Sequence, residues 1–190
     1  MGVTVLYGGT FDPPHVGHVA VADAAREEFG VERLVILVNE APGHRETDAS
    51  AEDRLALARA AFPRDDVRLD SHPRTVELLR EEAFDDPVFV VGADQFAGFP
   101  GWAEPDEVLA RTRLAVATRP GFPREDLDAV LAQLAHPERV LFFEIEPNPA
   151  ASTDVRAVAA AGAPLAGLVP PAVANLIRER GLYVRRPRLD

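Results

Sequence analysis

Apolar and polar positions alternate along the chain in blocks. Val3–Tyr7, Leu34–Val38, Val88–Val91, Leu114–Ala117 and Val140–Phe143 are continuous β-prone apolar runs, and Val67–Leu69 is a weaker one. Runs this short, without polar alternation, predict strands buried on both faces. Between them lie stretches rich in alanine and charge. Gly17–Phe29 predicts a helix that Gly30 can cap, and Ser50-Ala51-Glu52-Asp53 has the form of a capping box opening a helix to about Phe62. Thr75–Phe84, Pro105–Thr112, Glu125–Ala135, Ser152–Ala161 and Pro170–Arg180 continue the series, with Gly162 and Gly181 closing the last two. Asn39–Ala49 is polar, contains Pro42-Gly43 and predicts a loop.

Strands alternating with helices predict an α/β fold: a Rossmann-like, doubly wound parallel sheet with helices on both faces. No repeat, low-complexity tract or linker interrupts residues 1–190, so one domain is expected. In such sheets ligands bind at the carboxyl ends of the strands. The three notable loops, after Tyr7, after Val38 and after Val91, all follow strands.

Composition narrows the chemistry. The chain has 190 residues, 47% of them hydrophobic, enough to bury a core. Cysteine is absent, which removes disulfides, thiolate catalysis and cysteine-ligated metal. That suits a reducing compartment. No positively charged leader precedes the first apolar run, and no run approaches the length of a membrane span, so a cytoplasmic protein without membrane association is expected. A net charge of −11 would repel a nucleic-acid backbone, so nucleic acid is not an expected partner. A small polyanionic ligand would need a local positive site working against that field. All 20 basic residues are arginine. Schiff-base and P-loop lysines are therefore excluded, and a phosphate clamp must come from Arg, His, hydroxyls and backbone N–H groups.

Residues 8–18, GGTFDPPHVGH, join the first strand to the first helix. Gly8 and Gly9 can let the backbone approach a ligand or take unusual dihedrals. The helix N-terminus offers unpaired N–H groups and a positive dipole end, which suit an anion. His15 and His18, three apart, share one side of the first turn and can donate hydrogen bonds to phosphate oxygens, where transition-state charge builds up. Three plainer readings compete: a simple tight turn, a pair of metal ligands lacking an obvious third, or two ordinary half-buried histidines.

The whole string resembles the (T/G)-x-x-H-x-G-H signature of the nucleotidyltransferase superfamily, and is most similar to bacterial nicotinate-nucleotide adenylyltransferases. Further blocks resemble that family in its own order: Ser50–Ala56, Val91–Asp94 with Phe99–Trp102, Thr118–Gly121, Ser152–Arg156, Leu168–Val173 and Gly181–Tyr183. They span nearly the whole chain. The resemblance implies that AMP passes from ATP to nicotinate mononucleotide, yielding deamido-NAD and pyrophosphate, in NAD biosynthesis. It implies that His15 and His18 bind the triphosphate and stabilise the reacting α-phosphate. Gly8, Gly9, Thr10 and Phe11 would line the nucleotide approach, and Ser152, Thr153 and Arg156 would hold phosphate. Gly92 and Asp94 would contact adenosine, Arg119 would lie near the nucleotide, and Trp102 would stack on the pyridine ring. Mg²⁺ is expected with the triphosphate rather than on protein ligands. The implied partners are ATP and a pyridine mononucleotide, and the resemblance leaves a homo-oligomer open.

The chain departs from the family in three places. Pro42-Gly43-His44-Arg45 stands where PPHK is usual, so Arg45 takes over the lysine's charge with a different shape. Ser71–Leu79 replaces the family's G-x-S-Y-T-x-D-T-L stretch, keeping only Thr75 and the leucine register. Arg74 or His72 could then meet a nicotinate carboxylate. Ala151 replaces the first serine of SSTxxR. Phosphate chemistry is thus expected intact, while the acceptor could be another phosphorylated metabolite, such as nicotinamide mononucleotide or phosphopantetheine. A nucleotide-binding regulator without turnover is the reading from a different class. A class I aminoacyl-tRNA synthetase, which carries a similar histidine motif, would need more length and a lysine motif.

Overall fold

A computed structural model of the chain describes residues 2–43, 46–119 and 123–184. Among these described residues the strands are β1 (Val3–Gly9), β2 (Val31–Asn39), β3 (Asp66–Asp70), β4 (Val88–Gly92), β5 (Arg113–Thr118) and β6 (Val140–Glu144). They form one sheet in the order β3-β2-β1-β4-β5-β6, with every pair parallel. Each strand predicted from an apolar run is present. The helices are α1 (Val16–Phe29), α2 (Ala51–Ala61), α3 (Thr75–Glu81), α4 (Ala93–Ala97), α5 (Pro105–Arg111), α6 (Arg124–Leu131), α7 (Ser152–Ala160) and α8 (Pro171–Arg180).

The strand runs are continuously apolar because both faces of the sheet are covered, with side chains alternating between two cores. On one face Val5, Tyr7, Ile36, Val38 and Val90 pack with Ala22 and Ala25 of α1, Leu57 of α2, Val155 of α7 and Ile177 of α8. On the other, Leu6, Val35, Leu37, Phe89 and Val91 pack with Leu79 of α3, Phe96 of α4, Leu109 of α5 and Val130 of α6. The strand order reverses between β1 and β4, where Leu6 pairs with Phe89 and Tyr7 with Val90. A crevice opens at such a switch point.

Three local features differ from expectation. α4 and a 3₁₀ turn at Phe99–Gly101 fold a stretch that the sequence does not mark as helical. Gly98, Pro100 and Gly101 break any helical period there, and burial of Phe96 and Phe99 holds the short turns instead. α3 stops at Glu81, short of Phe84. At α2, the Ser50 hydroxyl accepts from the Asp53 N–H as a cap should. The Asp53 carboxylate does not reach back to the Ser50 N–H. It accepts from the Ser50 hydroxyl and pairs with Arg180 at 2.7 Å, docking α8 onto α2.

Candidate active site

A cleft of about 220 Å³ opens over the carboxyl ends of β1, β4 and β5. Tyr7, His15, His18, Gly92, Asp94 and Arg119 line it, with Val21, Ala117 and Ile145 as an apolar wall. A second groove lies at the amino ends of β2 and β3, but its Arg26 and Arg33 are already paired with Asp65 and Asp66.

The two histidines are locked by the backbone they cap. His15 is the N-cap of α1, in extended conformation, and its Nδ1 accepts the Gly17 N–H at 3.1 Å. The His15 N–H in turn donates to His18 Nδ1 at 3.2 Å. An imidazole pair thus performs what Ser and Glu do in an ordinary capping box. With each Nδ1 an acceptor, each neutral ring carries its proton on Nε2. The ring centroids lie 3.8 Å apart. Burial pushes the His15 imidazole down to about 4 and that of His18 to about 3, the latter also because its neighbour's charge would oppose its own. Near neutral pH both rings are uncharged Nε2–H donors above the positive end of a helix, an arrangement suited to an oxyanion.

This corrects the expectation of free amides at α1. Val16 N–H donates to Leu168 C=O, Gly17 N–H to the His15 ring and His18 N–H to His15 C=O. The open helix end is that of α7, whose N-cap Ala151 has no capping side chain. The Ser152, Thr153 and Asp154 amides there have no hydrogen-bond partner among the described residues. Thr153 is exposed on this turn, while Ser152 is half-buried and donates its hydroxyl to Pro13 C=O at 2.9 Å. Arg156 is engaged by the protein: Nη1 donates to Asp12 C=O at 2.8 Å and Nε pairs with Asp48 at 2.6 Å.

The glycines also act differently from expectation. Gly8 and Gly9 have no left-handed φ. A Cβ on Gly8 would crowd the Phe89 ring at 3.3 Å, and one on Gly9 would force the Phe11 ring, at 2.9 Å, to move, so aromatic packing leaves little room for a side chain at either position. A Cβ on Gly17 would lie 2.9 Å from His15 Nδ1, so the glycine between the histidines is what lets the imidazole cap the helix. At Gly92 a Cβ would meet nothing within 4 Å, in keeping with its place on the cleft. Phe11 does not line the approach to the cleft. It is 1% exposed and supports His18 edge-on at 5.0 Å. Thr10 is half-buried and its carbonyl accepts from Arg54.

The residues expected to meet the acceptor stand apart from the histidine cleft. Trp102, half-buried, packs edge-on against Phe99 and Phe89, and Phe89 is the ring beneath Gly8. It therefore lies on the opposite face of the sheet from Tyr7 and His18. Arg74 is the exposed N-cap of α3 and Thr75 its half-buried first residue; neither lines the histidine cleft. His72 is not free to meet a carboxylate. Its Nδ1 lies 2.7 Å from Asp70 and its Nε2 3.3 Å from Glu81, and these acids raise its proton affinity. Arg45 lies outside the described residues.

Sequence reasoning did not single out Arg54, which is 1% exposed. Its guanidinium donates to the carbonyls of Thr10, Asn39 and Glu40, stitching the loop after β1 to the loop after β2. Its charge also faces that of the buried Asp12 carboxylate and offsets it. The Asp12 and Tyr7 side chains were likewise unmarked. Among the described residues no group of three or more His, Asp or Glu is placed to hold a metal ion, and no helix is long and apolar enough to cross a membrane.

Residues 6–158 match a family described as cytidylyltransferase-like. A Rubrobacter xylanophilus protein named probable nicotinate-nucleotide adenylyltransferase is 34% identical over 193 residues, covering 94% of this chain and 90% of its own. A Chlorobaculum tepidum protein of the same name is 34% identical over 196 residues, covering 95% and 98%. Among solved structures, the Plasmodium falciparum nicotinic acid mononucleotide adenylyltransferase complexed with APC shares the fold, with a TM-score of 0.73 at 15% identity over 96% of this chain and 98% of its own. With its switch-point cleft, its HVGH pair and full-length relatives at a third identity, the chain belongs to the nicotinate-nucleotide adenylyltransferase family of cytidylyltransferase-like proteins.

Proposed function

We infer that the chain transfers AMP from ATP to nicotinate mononucleotide, giving deamido-NAD and pyrophosphate. A 5′-phosphate oxygen of the acceptor attacks the α-phosphorus. The new P–O bond forms as the bond to the β-phosphate bridge breaks, and pyrophosphate leaves with the electron pair. Little covalent chemistry falls to the protein, so its work is positioning and charge stabilisation. The observation that carries this reading is the pair of neutral imidazoles, locked as Nε2–H donors at the switch-point cleft.

In this reading His15 and His18 donate to phosphate oxygens on which charge accumulates. The free first-turn amides of α7, with the exposed Thr153 hydroxyl, hold the polyphosphate, while Ser152 acts by fixing the Pro13 carbonyl. Arg156 acts mainly by fixing the Asp12 carbonyl. Gly92, Asp94 and Arg119 face the adenosine, and the apolar wall receives its base. Trp102 stacks on the pyridine ring from the far side of the β1 crest, and Thr75 and Arg74 complete the acceptor side. Mg²⁺ comes with ATP as part of the substrate and offsets phosphate charge. The whole chain acts as one nucleotidyltransferase domain in the cytoplasm, where ATP is at hand; a homo-oligomer is compatible with this.

Pyrophosphate release from ATP, measured with nicotinate mononucleotide, nicotinamide mononucleotide and phosphopantetheine in turn, tests the reading. The highest kcat/KM is expected with nicotinate mononucleotide. Absence of turnover with every pyridine mononucleotide would reject it.

A further inference from the structure

Tyr183 lies beyond α8, after left-handed Gly181 has ended the helix. Tyr183 is itself left-handed, with φ 64. A non-glycine residue holds that conformation only where its surroundings impose it. The surroundings here include Asp12, to whose Oδ1 the Tyr183 hydroxyl donates at 2.7 Å across 171 positions of sequence.

Asp12 is 5% exposed. Its Oδ2 accepts the Asp48 N–H at 2.7 Å, and its Oδ1 also accepts the Ala49 N–H at 3.2 Å. Its carbonyl is held by Arg156 and the next one by Ser152. The chain then runs through Pro14 to His15, the N-cap of α1. One carboxylate therefore joins the loop that presents the histidines, the segment leading into α2 and the end of α8. A buried carboxylate is stable only when its lone pairs are filled. Two of its donors are backbone amides, and Tyr183 is the side-chain donor that completes the set. Small displacements of groups aimed at a transition state lower rate far more than they lower binding.

We propose that Tyr183 is a positioning residue for adenylyl transfer: its phenol holds Asp12, and through Asp12 it fixes the loop from which His15 and His18 meet the nucleotide. This rests on the function inferred above. Tyr183→Phe keeps the ring and removes the bond. Its kcat with ATP and nicotinate mononucleotide should fall about tenfold, the equivalent of one good hydrogen bond, with both KM values nearly unchanged. In an Asp12→Asn background the same substitution should change kcat by less than about twofold, because the route is already cut. A Tyr183→Phe enzyme with native kcat and only a lower Tm would make the contact a mere fastening of the chain end and overturn the proposal.

A second measurement needs neither turnover nor a variant at Tyr183. The chain has two tyrosines. Replacing both with 3-fluorotyrosine gives two fluorine resonances, which Tyr7→Phe assigns. A non-hydrolysable ATP analogue should shift the Tyr183 resonance. An unmoved resonance under calorimetrically saturating analogue would also overturn the proposal. A native protein that binds the analogue but turns over no acceptor would count against the inferred function, not against this coupling.

Discussion

At the end proposed to hold phosphate, the loop that carries the histidines is held from several sides. Arg54 holds the Thr10 carbonyl, Arg156 that of Asp12, Ser152 that of Pro13, and Tyr183 the Asp12 carboxylate. At the end proposed to meet the acceptor, α3 begins with an exposed Arg74 that makes no side-chain cap, and His72 turns back onto Asp70 and Glu81. The phosphate end has to offer fixed dipoles to a charge that exists only in the transition state, so its supports must be rigid. The acceptor end reads a stable molecule, and its contacts can change without disturbing the chemistry. The sequence departures cross this division: residues 71–79 depart on the acceptor side, Arg45 and Ala151 on the phosphate side, and the histidine loop itself keeps the family pattern.

The largest effect that could break this comparison is at His18. His18→Ala should lower kcat about a thousandfold with little change in the KM for ATP, as expected for a donor used in the transition state. Steady-state pyrophosphate release measures it, and a loss of only a few-fold would mean the imidazoles are not the chief donors. Arg54→Met should cost about 3 kcal/mol of stability, because it leaves three partly buried carbonyls without their donor and the buried Asp12 carboxylate without its nearby cation. Urea unfolding gives the number, and a near-neutral result would show the loops are held by other means. Trp102→Ala should raise the KM for the acceptor about tenfold and leave that for ATP alone. Equal changes in both would place Trp102 in the fold rather than on the acceptor. Arg74→Ala should alter the preference for nicotinate over nicotinamide mononucleotide by about threefold, the modest effect of an exposed charge; an unaltered ratio would remove Arg74 from the acceptor site.

The two ends should also respond to pH with opposite sign. His15 and His18 have lowered proton affinity when folded, so the unfolded chain takes up protons that the native state refuses. Their contribution is intact above 6.5 and is lost as pH falls towards about 4 for His15 and about 3 for His18. His72 has raised affinity, so its ion pairs stabilise below 6.5 and fade as pH rises through its higher folded value. In thermal unfolding across this range, His15→Asn should flatten the acid slope. His72→Asn should lower Tm more in mild acid than at mildly alkaline pH, and the reverse pattern would contradict the hydrogen bonds described for each ring.

The strand runs were legible because a parallel sheet wet on neither face leaves an uninterrupted apolar signal, and Gly30 and Gly181 because a left-handed cap tolerates few other residues. The histidine pair was legible as local chemistry: His15, Gly17 and His18 complete their capping pattern within one helical turn. What that turn did not reveal was the fate of its amides, since Leu168 arrives from the far end of the chain to take the Val16 N–H. Nor could local pattern reveal that Gly8 and Gly9 are small because Phe89 and Phe11 lie against them, or that Phe11 faces inward. Arg54 and Tyr183 stood only within blocks resembling the family and Asp12 only within the histidine string, with nothing to connect them. Periodicity and short motifs report contacts made within a few residues. The sequence by itself therefore determined the sheet, its helices and the histidine turn proposed to meet phosphate. Only the tertiary structure decided which groups hold them, because buried carboxylates and guanidiniums take whatever donors and carbonyls the folded chain brings within hydrogen-bond reach, irrespective of sequence distance.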